Sequence, residues 1–253
     1  MSKYYKTSKN DMDTHTNDNL AIIPDVHGRS FWQEVLKDDG EAIFLGDYLD
    51  PYPWEGITAA EATRILKEII DLKRTHPDSV TLLLGNHDLG YIDEKICECR
   101  MDYRGYKRNR DLLLDNLDLF DIVHAKEMGG VNFLFSHAGI ARTWLDAHPE
   151  LVGKEGFDPL ALNRMLHDPQ KFKTLFAALS DVSPHRGGLS PVGSPVWADV
   201  DEYLNGTPLL EGFFHVFGHS LHAGGAIPVA GGACLDCGQA FRLLDGPLRI
   251  APA

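Results

Sequence analysis

Residues 82–90, LLLGNHDLG, run from three leucines directly into Gly, Asn, His and Asp. Gly and Asn are common in turns, so the stretch on its own is typical of a buried strand that ends in a turn. The same arrangement occurs upstream, where LAIIP precedes DVHG and EAIFL precedes GDYLD. The latter is followed by TAAEATRILKEIIDLKRT, whose apolar residues recur at the spacing of an amphipathic helix. This alternation of strand, turn and helix predicts an α/β (α+β) fold.

Length and composition are those of an ordinary globular chain. The 253 residues are 43% hydrophobic and 24% charged, and no long linker divides them, so we expect one domain over residues 19–253. Residues 1–18 are polar, which predicts a disordered tail and gives no sign of a secretory signal. Because no apolar run is long enough to span a membrane either, we expect a cytoplasmic protein. The formal net charge of −13 argues against a nonspecific grip on nucleic acid, and the oligomeric state stays open.

Side chains able to bind a metal ion follow five apolar runs of the chain. They are Asp25, His27, Asp47, Asn86, His137 and His219. Because ligands of open α/β sheets bind beyond the carboxyl ends of the strands, we expect these side chains to converge. Two carboxylates, one amide and three imidazoles form a donor set that suits Mn, Fe or Zn. A single such residue at a strand end is usually only a turn residue, so the prediction depends on the whole series.

The five segments PDVHG, GDYLD, GNHD, SHAG and FGHS resemble the motifs of the calcineurin-like metallophosphoesterases. The resemblance covers nearly the whole chain, from residue 22 to residue 244. GDYLD and SPVWAD further resemble the phosphoprotein phosphatase branch, which includes bacterial members and the diadenosine tetraphosphate hydrolases. The resemblance implies a sandwich of two mixed β-sheets flanked by helices, with two metal ions at the sheet edge.

The resemblance also implies a ligand set, residue by residue. Asp25 and His27 hold the first metal ion, and Asp47 bridges the two ions. The second ion is held by Asn86, His137 and His219. Two ions of this kind, divalent or trivalent, clamp a phosphoryl group and lower the pKa of a shared water, so that hydroxide attacks phosphorus without a covalent intermediate.

His87 has no place among these ligands and is expected to face the leaving group instead. There it donates a proton as a general acid or stabilises the developing negative charge. The resemblance implies that Asp50, the second Asp of GDYLD, orients His87. The alternative for Asp50 is a turn residue that merely precedes Pro51.

Substrate phosphate requires a cation, and the resemblance predicts an arginine directly after GDYLD, where this chain has Pro51. Arg186, in the Gly-rich loop SPHRGGL, is the expected substitute because a planar guanidinium suits phosphate. Arg142 is a weaker candidate, and Asn86 is expected near the phosphate as well as at the second ion. The spacing G-H-x-x-H differs by one residue from a known G-H-x-H metal motif, which leaves the role of His222 open.

These observations predict a dinuclear metal-dependent phosphatase that hydrolyses phosphate monoesters, with phosphoprotein (Ser, Thr or Tyr) as the expected substrate. The alternative is a small-molecule phosphatase or a dinucleoside polyphosphate hydrolase, since YLDPYPWEG suits either a base or a peptide. The expected partner is accordingly a phosphorylated protein or a small phosphorylated molecule. A noncatalytic binding module is disfavoured because His87 and every candidate ligand are present.

Overall fold

The computed structural model describes residues 19–36, 40–93, 99–153, 156–244 and 249–252. The predicted disordered tail, residues 1–18, lies outside these ranges. The strands are β1 (Asn19–Ile23), β2 (Glu41–Phe44), β3 (Val80–Leu83), β4 (Phe120–Asp121), β5 (Val123–Met128), β6 (Val131–Ser136), β7 (Phe214–Phe217), β8 (Ile227–Val229), β9 (Gly232–Cys234), β10 (Phe241–Leu244) and β11 (Arg249–Pro252). The α-helices are α1 (Trp32–Val35), α2 (Ala59–Thr75), α3 (Asn86–Ile92), α4 (Tyr106–Leu114), α5 (Arg142–Ala147), α6 (Ala161–Leu166), α7 (Phe172–Leu179) and α8 (Val200–Leu204). Short 3₁₀ helices cover Leu117–Leu119, Pro149–Leu151 and Pro184–Arg186.

The strands form two mixed sheets. One sheet has the order β11-β10-β1-β2-β3-β4, with β1 to β4 parallel and with β10 antiparallel to β1 and β11. The other has the order β5-β6-β7-β9-β8, in which β6, β7 and β9 run parallel. The predicted pair of mixed sheets flanked by helices is therefore confirmed.

The two sheets pack face to face because side chains alternate along each strand. Leu20 and Ile22 of β1 share one buried cluster with Phe133 and Phe135 of β6. The intervening residues of β1 point to the opposite face and pack in a larger cluster with helical residues such as Ile65. Continuous apolar strands are expected where both faces of a sheet are covered.

Helix α2 is the local element that sequence predicts best. Its apolar residues recur on one buried face, as expected. The helix begins with a capping box, in which Thr58 accepts a hydrogen bond from the backbone of Glu61 and Glu61 accepts one from the backbone of Thr58.

Strands β5 and β6 are joined by Gly129 and Gly130, whose φ values are 55° and 77°. Helix α3 ends at Ile92 and α4 begins at Tyr106, and residues 94–98 lie outside the described ranges. Within the described ranges, each helix is too short or too polar to cross a membrane.

Candidate metal centre

Five loops leave the carboxyl ends of β1, β2, β3, β6 and β7 and are joined directly to one another. The backbone N–H of His27 donates to the carbonyl of Asp47 at 2.7 Å. The N–H of His87 donates to Oδ1 of Asp47 at 3.0 Å, and the N–H of His219 donates to Oδ1 of Asp25 at 2.9 Å. Parallel strands bring these loops to one edge, and the hydrogen bonds then fix their relative positions.

Backbone strain is concentrated in these loops. Among the described residues, the non-glycine residues with positive φ are His27 (45°), Asp47 (53°), Asp50 (59°) and His219 (70°). Such conformations are costly outside glycine and persist where the surrounding structure enforces them, often at functional sites. All four residues belong to the candidate site predicted from sequence.

Two histidines have their tautomers set by backbone carbonyls. Nδ1 of His27 lies 2.7 Å from the carbonyl oxygen of Leu49, and Nδ1 of His137 lies 2.9 Å from that of Leu45. A carbonyl oxygen only accepts, so Nδ1 carries the hydrogen in both rings and Nε2 keeps its lone pair. These two Nε2 atoms lie 3.6 Å and 3.5 Å from the same oxygen, Oδ2 of Asp47.

Other potential ligand atoms lie close to these two nitrogens. Nε2 of His137 is 3.1 Å from Oδ1 of Asn86 and 3.1 Å from Nδ1 of His219, and Nε2 of His27 is 4.0 Å from Oδ2 of Asp25. Lone pairs facing one another repel unless a cation lies between them. The donor set therefore fits metal ions.

In each of two groups of side chains, the potential ligand atoms lie within 4.8 Å of one another, and Asp47 belongs to both groups. One group is His27, Asp47 and His87, and the other is Asp47, His137 and His219. All five side chains are buried. A carboxylate common to both groups is an arrangement that fits two neighbouring ions.

Glycines make room for the carboxylates. A Cβ at Gly85 would collide with Oδ1 of Asp47, and one at Gly218 would collide with Oδ1 of Asp25. The glycine preceding Asn86 and the glycine preceding His219 are therefore required by packing around the site and not only by turn geometry.

The electrostatics of the site disfavour ionisation of its ligands without a cation. Burial, followed by the charges of Asp25 and Asp88, raises the pKa of Asp47 well above its usual value. Burial lowers the pKa of His27 and of His219 well below the usual value, aided by His87 and by Arg186 respectively. A bound cation would favour both the carboxylate and the neutral imidazole, which are the forms that bind metal.

His87 and Asp50 form a separate pair. His87 lies in the first turn of α3, and its Nδ1 is 3.0 Å from Oδ2 of Asp50. The other carboxylate oxygen of Asp50 accepts hydrogen bonds from the hydroxyl of Tyr91 at 2.6 Å and the backbone N–H of Asp102 at 2.9 Å. Asp50 is therefore held on both oxygens, and the contact with His87 has the geometry expected of a residue that orients it.

Asp88 connects two of the loops. Its wholly buried carboxylate accepts from the backbone N–H groups of Asp47 (2.8 Å), Tyr48 (3.1 Å) and Gly85 (2.9 Å). Burial raises the pKa of Asp88 to about 7 against the opposing effect of these three donors. The contacts with Asp47 and Tyr48 cross about forty residues, so no local pattern in the sequence indicates them.

The two candidate arginines differ in position. Arg186 lies beside the second ligand group: its Nη2 is 3.2 Å from the carbonyl oxygen of His219, and its Nε is 2.6 Å from Oδ2 of Asp199. Arg142 is about half exposed and pairs with Asp146 at 2.9 Å on the surface of α5. The structure therefore brings Arg186 to the rim of the site, already paired with a carboxylate, and does not bring Arg142 there.

His222 is turned away from the ligand groups. Its Nδ1 is 2.8 Å from the carbonyl oxygen of Ser220, and its Nε2 faces the carbonyl oxygen of Gly225. Both nitrogens are thus engaged by the backbone of its own loop.

Asp236 is a buried carboxylate near the site that sequence reasoning missed. Neither of its oxygens has a hydrogen-bond partner among the described residues. Burial and the charge of Asp25 raise its pKa well above the usual value. The sequence contained a signal for this residue, because the apolar run ACL precedes Asp236 just as apolar runs precede the other site residues. In the structure, Asp236 follows β9, which runs parallel to β7.

Comparisons with known proteins agree with this geometry. A family model described as calcineurin-like phosphoesterase matches residues 13–223. A solved cold-active protein tyrosine phosphatase is similar in fold, with a TM-score of 0.53, 15% identity, and coverage of 89% of this chain and 73% of that chain. A protein serine/threonine phosphatase from Saccharomyces cerevisiae aligns with a TM-score of 0.47, 15% identity, and coverage of 92% and 75%. No curated protein matches the sequence.

Proposed function

Because the chain belongs to the calcineurin-like phosphoesterase family, we propose that it is a dinuclear metal-dependent phosphatase acting on phosphate monoesters. Membership of this family makes it a hydrolase of phosphate esters. The observation that carries the finer proposal is Asp47, whose buried carboxylate belongs to both groups of potential ligands.

The residues that would hold the ions follow from the lone pairs described above. The first ion is assigned to Asp25, His27 and Asp47. The second is assigned to Asp47, Asn86, His137 and His219. When bound, Mn, Fe or Zn ions supply Lewis acidity toward the phosphoryl group and its nucleophile.

His87 is proposed to hold the proton that the leaving group receives. Asp50 orients the ring through Nδ1, which leaves Nε2 to face the substrate. Arg186 and Asn86 are proposed to contact phosphoryl oxygens on the side of the second ion. The support for Arg186 is its position against the carbonyl of His219.

Phosphoprotein is the proposed substrate, in keeping with the phosphoprotein phosphatase motifs of the sequence. One observation favours the second candidate, a small molecule such as a dinucleoside polyphosphate. Trp54 is 73% exposed, and its ring stacks on that of Tyr52 with 4.6 Å between the ring centres. The Tyr52 ring lies 5.0 Å from that of His27. An exposed aromatic ring so close to the ligands suits a stacked base.

A rate panel with the manganese-loaded protein tests both proposals. The substrates are phosphoserine, phosphothreonine and phosphotyrosine peptides, a mononucleotide, a dinucleoside polyphosphate and a cyclic diester. We expect the phosphopeptides to be hydrolysed fastest, and the chelated protein to be inactive. A preference for the dinucleoside polyphosphate would select the second candidate, and a preference for the cyclic diester would contradict monoester hydrolysis.

A further inference from the structure

We propose that Arg100 binds the substrate phosphoryl group on the side of the site occupied by His87. This inference rests on the proposed function. It adds a phosphate-binding residue that the motif segments do not contain, since GDYLD is followed by proline at position 51.

Arg100 is held against the residue that orients His87. Its Nη2 donates to the backbone carbonyl of Asp50 at 2.9 Å. Two residues further on, the backbone N–H of Asp102 donates to the Asp50 carboxylate, so this part of the chain is attached to Asp50 at two points. The position of the guanidinium relative to the His87 pair is therefore defined.

The guanidinium also rests on an aromatic ring of the site. Its central carbon lies 3.9 Å from the centre of the Tyr52 ring. The Tyr52 ring is 5.0 Å from that of His27, which in turn is 5.0 Å from that of His87. The contact with Tyr52 is a cation–π interaction that reduces the freedom of the side chain and leaves its charge in place.

Arg100 differs from the neighbouring arginines in having no carboxylate partner among the described residues. Arg29, which also lies over Tyr52, pairs with Glu55 at 2.7 Å, and Arg186 pairs with Asp199 at 2.6 Å. Nε of Arg100 is buried and has no hydrogen-bond acceptor within the part of the chain that the structure describes.

A partly buried guanidinium without a counter-charge leaves donors unsatisfied, which proteins generally avoid. A phosphoryl group in the adjoining site would supply both the missing negative charge and the missing acceptor. The planar fork of arginine matches the oxygens of phosphate, and the stacking on Tyr52 orients that fork before the substrate arrives.

The test measures phosphate binding on the full-length manganese-loaded protein. Arg100→Met removes the charge, Arg100→Lys keeps the charge but loses the planar fork, and Arg104→Met is the matched control. Arg104 is exposed and belongs to the same segment, so its replacement makes the same change in net charge. Inorganic phosphate is titrated by calorimetry, its inhibition constant is measured with the best monoester substrate, and bound manganese is counted.

We expect Arg100→Met to raise the dissociation constant of phosphate by about ten- to a hundredfold, as the loss of a charge-assisted hydrogen bond predicts. Arg100→Lys should lie between this variant and the wild type, and Arg104→Met should stay within about twofold. Manganese content should equal that of the wild type in all three variants.

Phosphate binding by Arg100→Met within about twofold of the wild type would overturn the proposal. So would a loss of manganese parallel to the loss of phosphate, because Arg100 would then serve the structure of the site. A wild-type protein that binds phosphate through Arg100 but hydrolyses no monoester would instead refute the proposed function and support the role of Arg100.

Discussion

Replacing Asp50 by asparagine removes the charge from the group that faces Nδ1 of His87 while keeping the size of the side chain. Asparagine also tolerates the positive φ of 59° at this position. The two hydrogen bonds from Tyr91 and Asp102 to Oδ1 determine how the new side chain sits. Tyr91 and Asp102 are both donors and therefore need an acceptor at this point. The amide oxygen of the new side chain takes the place of Oδ1, and the amide nitrogen then faces His87.

The amide nitrogen is itself a donor, and it therefore disfavours a proton on Nδ1 of His87. The charge-assisted hydrogen bond that is lost contributes about 1.5–3 kcal/mol, which corresponds to a factor of about 10 to 150 in rate. General acid catalysis as a whole contributes about 10²- to 10⁴-fold. We expect Asp50→Asn to reduce turnover by about 10- to 150-fold. His87→Asn should reduce it by about 10²- to 10⁴-fold.

The assay compares two leaving groups on the manganese-loaded protein. Phosphoserine peptide releases a basic alkoxide that needs a proton, whereas p-nitrophenyl phosphate releases a stable phenolate. Both substitutions should therefore slow the peptide more than the aryl ester. The double variant should resemble His87→Asn, because the two residues act as one unit. Asp102→Asn is the control, since only its backbone N–H reaches Asp50 and its side chain pairs with Arg108 at 3.2 Å.

Equal losses on the two substrates would refute the acid role and indicate a general disturbance of the site. Full turnover of the phosphoserine peptide by Asp50→Asn, with two ions bound, would refute the orienting role. Metal content of every variant is measured first, so that a missing ion is not mistaken for a missing proton.

Three further outcomes follow from buried groups. Asp47→Asn should lower bound metal from about two ions to at most one per chain by elemental analysis, because its carboxylate belongs to both ligand groups; a stoichiometry near two would count against the bridge. Asp88→Ala leaves three buried N–H groups without an acceptor. It should lower the free energy of unfolding, measured by denaturant titration, by about 3–5 kcal/mol. A decrease below about 1 kcal/mol would contradict this account. Burial lowers the pKa of His215 from its usual 6.5 to about 4. As the pH falls from 6.5 to 4, the unfolded chain therefore takes up a proton at this residue before the folded chain does, and the free energy of unfolding decreases. His215→Gln should lose less stability than the wild type over that range, and identical pH dependence of the two would show that the assigned group is wrong.

The residue types and their order along the chain predicted much of the fold. Alternation of apolar runs with helical patterns indicated parallel strands and covering helices, because side-chain periodicity reflects which faces are buried. The apolar face of α2 is a local feature and was predicted correctly.

The candidate ligands were predictable for a related reason. Each follows an apolar run, and parallel strands bring their carboxyl ends to one edge, so a one-dimensional pattern implied a three-dimensional cluster. Their roles as ligands, and those of His87 and Asp50, stay predictions that the metal and rate measurements above test. Asp236 also follows an apolar run, so the same reasoning would have placed it among the candidate site residues.

Other features depend on contacts between distant segments that leave no periodic signal. Arg100 lies fifty residues from Asp50 and reaches it through a loop, so no spacing in the sequence indicates their contact. The same holds for the two bonds by which Asp88 positions the GDYLD loop. Amino-acid identities specify which groups can bind metal or donate a proton. Whether a particular arginine is paired, or which nitrogen of His27 keeps its lone pair, depends on neighbours that only the folded chain brings within hydrogen-bonding distance.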